Sequence, residues 1–148
     1  MKNSVSSNLL AKKFILLARL MEVSRDNPFK IRTYRFASRV IANIKSDLTR
    51  EDIKALSNIK GIGSAVVEKS VEFLETGSIK KIEEIKEGIP LTILKIVTET
   101  NIPSSIIAAI WKDYMIVTSD EIIEFLSERR EQLKLSQKQI TDVEKALS

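Results

Sequence analysis

Apolar residues recur every three or four positions along almost the whole chain. One such stripe has spacings of four, three and four: Leu10, Phe14, Leu17 and Met21. This spacing places side chains on one face of an α-helix. The four glycines and three prolines fall mostly between the periodic segments. The best strand candidate, Met115–Thr118, is too isolated to form a sheet. The sequence therefore predicts an all-α fold.

Residues that favour helix ends mark the predicted boundaries. Asn27 and Pro28 are suited to the N-cap and first position of a helix, and Gly77 to a left-handed helix end. The predicted helices span about Ser7–Ser24, a segment from Pro28, Glu51–Leu56 capped by Thr49, Ser64–Thr76, Ser78–Glu87, Leu91–Thr98, Pro103–Tyr114, a segment capped by Ser119, and one from Ser136 to about Leu147.

Charge is distributed unevenly along the chain. The formal net charge is +4, but residues 1–90 hold 17 Lys and Arg against 11 Asp and Glu, while residues 91–148 hold 7 against 9. The first part is thus +6 and the second −2. The length fits one compact domain or two small subdomains, and we expect an anionic partner such as a nucleic acid to meet the first part of the chain.

Composition excludes several classes of function. The chain has no cysteine and no histidine, which excludes disulfides, zinc fingers and histidine-based catalytic triads. Its apolar runs are short and interrupted by charges, so we expect no membrane segment. The start lacks the apolar stretch of a signal peptide, which predicts a cytoplasmic or nuclear protein.

The segment Ile59–Ser64 reads Ile-Lys-Gly-Ile-Gly-Ser between two predicted helices. Gly61 and Gly63 allow positive φ and leave no Cβ between the backbone and a ligand. The first amides of the next helix, capped by Ser64, would then point at a phosphate, while Ile62 enters the core. This pattern predicts sequence-independent DNA binding. A tight turn between helices without a ligand is the alternative.

The helix after Pro28 has an apolar side and a basic side. The apolar positions are Ile31, Tyr34, Ala37 and Ile41. The basic positions are Arg32, Arg35 and Arg39, with Lys30 at the border. Such a helix can pack and bind anions at once.

Three blocks in order resemble a known family: Asn27–Ser38, Ile59–Ser64 and Glu68–Gly77. Across about residues 8–90 the chain resembles the amino-terminal eight-kilodalton domain of X-family DNA polymerases. The remaining residues are similar in layout to the fingers subdomain of that family. The resemblance implies a helix-hairpin-helix domain, residues 1–90, followed by a second helical subdomain with a degenerate hairpin, residues 91–148.

The resemblance implies binding of gapped, nicked or 5′-incised abasic DNA in base excision repair. It also implies a 5′-deoxyribose-phosphate lyase that acts by β-elimination through a Schiff base. Lys69 falls on the position of the nucleophile, with Glu68 beside it and Tyr34 assisting. Lys30 and Lys81 fall on phosphate-binding positions.

Further expectations concern the hairpin and its entrance. Phe29 would stack on a template base. Lys60 replaces a common proline of the family and would either add a phosphate contact or loosen the turn. The resemblance implies a monovalent cation, K⁺ or Na⁺, held by backbone carbonyls of Ser57, Ile59 and Ile62. No other cofactor is expected.

The sequence departs from the family at several places. Ala65 stands where the family has a phosphate-binding lysine, which weakens the expected pocket. In the second hairpin, Thr98–Ser104, Thr100 and Ile102 replace both glycines. A β-branched residue resists positive φ and obstructs a phosphate. We therefore expect this hairpin to pack but not to bind DNA.

Three functions remain open from the sequence. The chain lacks the carboxylate cluster of a polymerase palm, so it is not a polymerase as it stands. The first function is a lyase module, and the second is a non-catalytic DNA-binding module that positions a repair protein. The third is a helical protein-interaction domain. Lys69 as an ordinary exposed lysine paired with Glu72 is the alternative to its catalytic role.

Overall fold

The computed structural model describes residues 3–148, which are mainly helical. The helices are α1 (Ser7–Val23), α2 (Pro28–Ala42), α3 (Arg50–Ala55), α4 (Ser64–Thr76), α5 (Lys80–Glu87), α6 (Leu91–Glu99), α7 (Ser104–Ala108), α8 (Ser119–Glu128) and α9 (Gln137–Leu147). A 3-10 turn, Leu56–Asn58, follows α3, and a π-helical turn, Ala109–Asp113, follows α7. The predicted helical fold is confirmed. Within residues 3–148, none of the helices has the length and apolar character needed to cross a bilayer.

Two short strands correct the expectation that the chain has no sheet. Strands β1 (Ser4–Ser6) and β2 (Asp47–Thr49) pair antiparallel, with Val5 opposite Leu48. Both of these side chains are buried. Three residues are too few to show the alternation by which a strand is recognised in a sequence. The predicted strand candidate, Met115–Thr118, does not form a strand.

Several helix ends lie where the sequence predicts them. The side chain of Asn27 accepts a hydrogen bond from the backbone N–H of Phe29 (2.8 Å). Thr49 and Ser136 each form a capping box with the third residue of the following helix. Gly77 ends α4 in the left-handed conformation, with φ 78°. These caps depend on neighbouring residues alone, which is why the sequence predicts them.

The predicted bounds of α4, Ser64–Thr76, are confirmed, but two predicted N-caps and one predicted helix start are wrong by one or two residues. Gly63, not Ser64, is the N-cap of α4, and it has no side chain to cap with. Thr118, not Ser119, is the N-cap of α8. Helix α5 begins at Lys80 instead of Ser78, because the carboxylate of Glu72 accepts a hydrogen bond from the backbone N–H of Lys80 (2.8 Å).

The chain forms two compact units. Unit 1 contains the residues up to Ala18 together with Asn27–Glu84, and unit 2 contains Arg19–Asp26 together with Ile85–Ser148. Helix α1 supplies residues to both units. The domain boundary after residue 90 stays a prediction.

Aromatic packing defines the core of unit 1. Phe14 of α1 is fully buried and stacks on Tyr34 of α2, with ring centroids 5.8 Å apart and planes 19° apart. Ser38 is also buried, and its hydroxyl donates to the carbonyl of Ala11 (2.8 Å). The core therefore accepts this polar side chain without an unsatisfied hydroxyl.

Helix α4 buries a different face from the predicted one. The apolar spacing of the α4 sequence predicts a core stripe of Val67, Val71 and Leu74, with Lys69 on nearly the opposite side, but Val67 and Val71 are only half-buried. The buried residues of α4 are Val66, Ser70, Phe73 and Leu74. Ser70 fits in the core because its hydroxyl donates to the carbonyl of Val66 (2.7 Å). Because one residue of this buried face is a serine, apolar spacing in the sequence does not identify the face.

In unit 2, α9 packs against α6 and α8. Fully buried residues on these helices include Ile93, Ile96, Ile122, Leu126 and Val143. These positions follow the helical period of the sequence, as expected for amphipathic helices.

Candidate nucleic-acid interface

The first hairpin is a compact turn between α3 and α4. The backbone N–H of Ile59 donates to the carbonyl of Leu56, and that of Ile62 donates to the carbonyl of Ile59, both at 3.0 Å. Ile62 is 5% exposed, so it anchors the turn in the core as predicted. Gly61 has φ 99°, a conformation that other residues rarely adopt.

The two glycines of the hairpin have different roles. A Cβ on Gly61 would lie 2.8 Å from Cε2 of Phe36, whereas a Cβ on Gly63 would meet nothing within 4 Å. Gly63 also has φ −104°, which any residue can adopt. Of these two glycines, only Gly61 uses the positive φ that the sequence allows at both positions. Gly61 makes room for Phe36, and Gly63 is the glycine with open space beside it.

Phe36 is a structural residue that the sequence analysis missed. It is half-buried on α2 between Arg35 and Ala37, outside the predicted apolar side of that helix. Its contact with Gly61 joins the hairpin to the helix that carries the arginines. The sequence signal that could have identified Phe36 is its position as an aromatic residue beside the arginines of α2.

The amino-terminal end of α4 is open to solvent. No side chain caps it, and Gly63, Ser64 and Ala65 are exposed. The N–H groups of a first helical turn have no partner within the helix, and the helix dipole places partial positive charge there. This end can therefore accept an anion such as a phosphate oxygen.

The basic side of α2 is partly organised by an aromatic contact. Phe29 is 72% exposed, and the guanidinium of Arg32 lies 4.6 Å from its ring centroid. This contact orients Arg32 and leaves Phe29 accessible. Lys30 and Arg39 are exposed, and Arg35 is half-buried.

Lys69 lies beside Tyr34 rather than pointing away from the core. Its side chain is half-buried, and Nζ lies 5.4 Å from the centroid of the Tyr34 ring. Tyr34 itself is 5% exposed. Within residues 3–148 Lys69 forms no ion pair with Glu68 or Glu72. The structure thus brings Lys69 and Tyr34 together, and the catalytic role of Lys69 stays a prediction.

The other predicted site residues of unit 1 are accessible. Their side chains are all exposed: Lys60, Ser64, Glu68, Lys81, Ser57 and Ile59. The carbonyl of Ile59 accepts one hydrogen bond within the turn, and a carbonyl oxygen has a second lone pair. The monovalent cation that the resemblance implies at these carbonyls stays a prediction.

The second hairpin is held by an arginine that the sequence analysis did not identify. Within unit 2, Arg19 donates hydrogen bonds to three backbone carbonyls: Val97 (3.1 Å), Thr100 (3.3 Å) and Ile102 (2.9 Å). Ile102 is fully buried, and Thr100 is extended, with φ −133°. This geometry agrees with the packing role expected for the hairpin. Nothing in the local sequence of Arg19 indicates so distant a partner.

Together, the fold and the glycine hairpin define a mainly helical protein of a nucleic-acid-binding type. Residues 6–79 match the family described as helix-hairpin-helix domain, and the chain belongs to this family. Membership suggests DNA binding. No curated protein matches the chain.

Proposed function

We propose that unit 1 binds gapped or 5′-incised abasic DNA through its sugar-phosphate backbone, without reading sequence. The observation that carries this proposal is the open space beside Gly63 at the uncapped start of α4. A phosphate can approach the amides there. The exposed cations of α2, Lys30 and Arg32, supply the charge that a polyanion requires.

We further propose that this module is a 5′-deoxyribose-phosphate lyase of the kind found in X-family DNA polymerases. The amine of Lys69 would add to the C1′ aldehyde of the opened sugar and lose water to form an imine. Removal of a proton from C2′, with Glu68 and Tyr34 assisting, would break the C3′–O bond. The DNA strand would leave with its 5′-phosphate, and hydrolysis would free Lys69.

Reduction with borohydride tests the lyase proposal directly, because it converts an imine into a stable covalent adduct. The full chain is incubated with a 5′-incised abasic duplex and borohydride, and the adduct is mapped by digestion and mass spectrometry. We expect the adduct on Lys69 and its loss in both Lys69→Ala and Lys69→Arg. The arginine variant is the sharper control because it keeps the positive charge but cannot form the imine.

Two outcomes would contradict the lyase assignment. If the wild type forms no adduct, the chain is not a lyase. If Lys69→Arg forms as much adduct as the wild type, Lys69 is not the nucleophile. DNA binding is measured separately by fluorescence anisotropy. Lys60→Ala, at another exposed lysine of the hairpin, should weaken binding and leave the mapped adduct on Lys69.

A second function is favoured by the contact between Lys69 and Tyr34. The face of an aromatic ring attracts the ammonium as a cation, and a cation suits a phosphate better than it suits attack on an aldehyde. Ala65 stands where the family has a phosphate-binding lysine, and this replacement agrees with a module that has lost lyase activity. In this function the chain positions a repair protein on damaged DNA, binding gapped DNA without any adduct.

A monovalent cation belongs to the same proposal. K⁺ or Na⁺ would be held by the carbonyls of Ser57, Ile59 and Ile62, and its charge would attract a phosphate at the hairpin. Replacing K⁺ by tetramethylammonium at constant ionic strength should weaken DNA binding, since that ion is too large for a set of carbonyl ligands. Equal affinity in the two salts would contradict the cation site.

A further inference from the structure

Unit 2 exposes a group of large apolar side chains in one region. These residues are Leu91, Tyr114, Met115 and Val117. Met115 is 81% exposed, the most of any large apolar residue in the described part of the chain. The hydroxyl of Thr92 donates to the carbonyl of Val117 (2.6 Å), which joins the segment 114–117 to the start of α6, where Leu91 lies. We call these four residues the apolar surface.

The backbone presents Met115 in an unfavourable conformation. A π-helical turn precedes it, closed by hydrogen bonds from Tyr114 N–H to Ala109 (2.9 Å) and from Ile116 N–H to Ile110 (3.0 Å). Met115 has φ 57°, where an asparagine or glycine would be less strained. The other non-glycine residues with positive φ in residues 3–148 are charged: Arg25, Lys45 and Lys134. An apolar side chain held in solvent by a strained backbone indicates a contact with a partner.

A cleft with an acidic margin adjoins Tyr114. The rings of Tyr114 and Phe125 meet edge to face, with centroids 4.9 Å apart. They line a cleft of about 170 Å³ whose charged residues are Glu121, Glu124, Glu128 and Arg129. Three carboxylates against one guanidinium leave this margin with a formal charge of −2.

The charge identifies the kind of occupant. DNA and anionic membranes are polyanions and would be repelled by the carboxylates of α8. We propose that the apolar surface and the acidic cleft dock a basic amphipathic segment of a partner protein, one that carries lysine or arginine beside leucine-like side chains. Its apolar side chains would cover Met115 and Val117, and its cations would meet Glu121 and Glu124. This interaction goes beyond the proposed action on DNA and does not depend on it.

The proposal is tested by nuclear magnetic resonance on the full ¹⁵N-labelled chain. The probe is a synthetic amphipathic peptide of leucine and lysine, and the matched control peptide has glutamate in place of lysine. We expect the lysine peptide alone to shift the amide signals of residues 114–117 and of α8. Phosphatidylserine vesicles and a gapped duplex should leave these signals unchanged.

Variants make the test specific for the surface. Met115→Asn removes the thioether but suits φ 57°, so the fold should be kept. We expect it to weaken the Kd for the lysine peptide about ten-fold, as for an apolar anchor of an interface. Leu9→Asn, at an exposed leucine of unit 1, is the matched control and should leave the Kd unchanged.

Each of four results would overturn the proposal. They are no binding of the lysine peptide, equal binding of the glutamate peptide, an unchanged Kd in Met115→Asn, and shifts at residues 114–117 caused by the vesicles or the duplex. The last result would assign the surface to a lipid or a nucleic acid instead.

Discussion

The ring of Phe36 occupies the space that a side chain on Gly61 would need. A Cβ at Gly61 would lie 2.8 Å from Cε2 and 3.2 Å from Cδ2 of that ring. The hairpin can therefore pack on α2 because Gly61 has no side chain. Gly63 remains on the open side of the hairpin. This division of roles leads to a pair of matched predictions.

Gly61→Ala should lower the free energy of unfolding by about 2–4 kcal/mol, since it combines a steric clash with a backbone of φ 99°. Urea denaturation measures the loss. A change within about 0.5 kcal/mol, the range of ordinary surface substitutions, would show that Phe36 moves aside freely.

Gly63→Ala should change DNA affinity more than stability. The added methyl group meets no neighbour, so the free energy of unfolding should fall by less than about 1 kcal/mol, the usual difference between N-cap residues. DNA affinity should nevertheless weaken, because the methyl group enters the space proposed for a phosphate. Anisotropy with a labelled gapped duplex measures the affinity, and an unchanged Kd would place the phosphate elsewhere.

Arg32→Ala should reduce the salt dependence of DNA binding. Loss of one phosphate contact lowers the slope of log K against log salt by about one, and the loss should be equal for duplexes of different sequence. Lys138→Ala is the matched control, since Lys138 pairs with Asp142 in unit 2 (2.9 Å). An unchanged slope in Arg32→Ala would exclude Arg32 from the interface.

Arg19→Ala should destabilise the second hairpin. It removes the donor from the carbonyls of Val97, Thr100 and Ile102, and leaving such acceptors unsatisfied costs about 1–3 kcal/mol or more. Urea denaturation is the measurement, with the exposed Lys12→Ala on the same helix as control. Equal stability of the two variants would mean that water replaces the guanidinium without loss.

Asp52 should make stability depend on pH at the acidic end. Hydrogen bonds from the backbone N–H and then the hydroxyl of Thr49 hold the pKa of Asp52 below its ordinary value of 3.8. A carboxyl with a lowered folded-state pKa stabilises the fold above its unfolded pKa, and the contribution is lost as pH falls through the folded pKa. The wild type should therefore lose stability relative to Asp52→Asn below that ordinary value. Parallel denaturation curves for the two proteins across this range would contradict the assignment.

Features that depend on neighbouring residues were predictable from the sequence. The helical period, the caps at Asn27, Thr49 and Ser136, and the left-handed end at Gly77 all follow from contacts within a few residues. The hairpin was also predictable, because glycines between two helices indicate a tight turn.

The candidate site could be predicted only in part. Its residue types and their order along the chain are sequence properties, but the side on which Lys69 lies depends on which face of α4 is buried. That face contains Ser70, whose hydroxyl is satisfied within the helix. Apolar spacing cannot reveal this face, and so the prediction placed Lys69 opposite a stripe of which only Leu74 is buried.

By itself, then, the sequence determined a helical chain with a glycine hairpin and a basic first part, since propensity, capping and charge act over short distances. Only the tertiary structure decided that β1 pairs with β2, that Gly61 makes room for Phe36, and that Arg19 binds the second hairpin. Each of these contacts joins residues far apart in the chain, and their choice depends on how whole helices and strands pack.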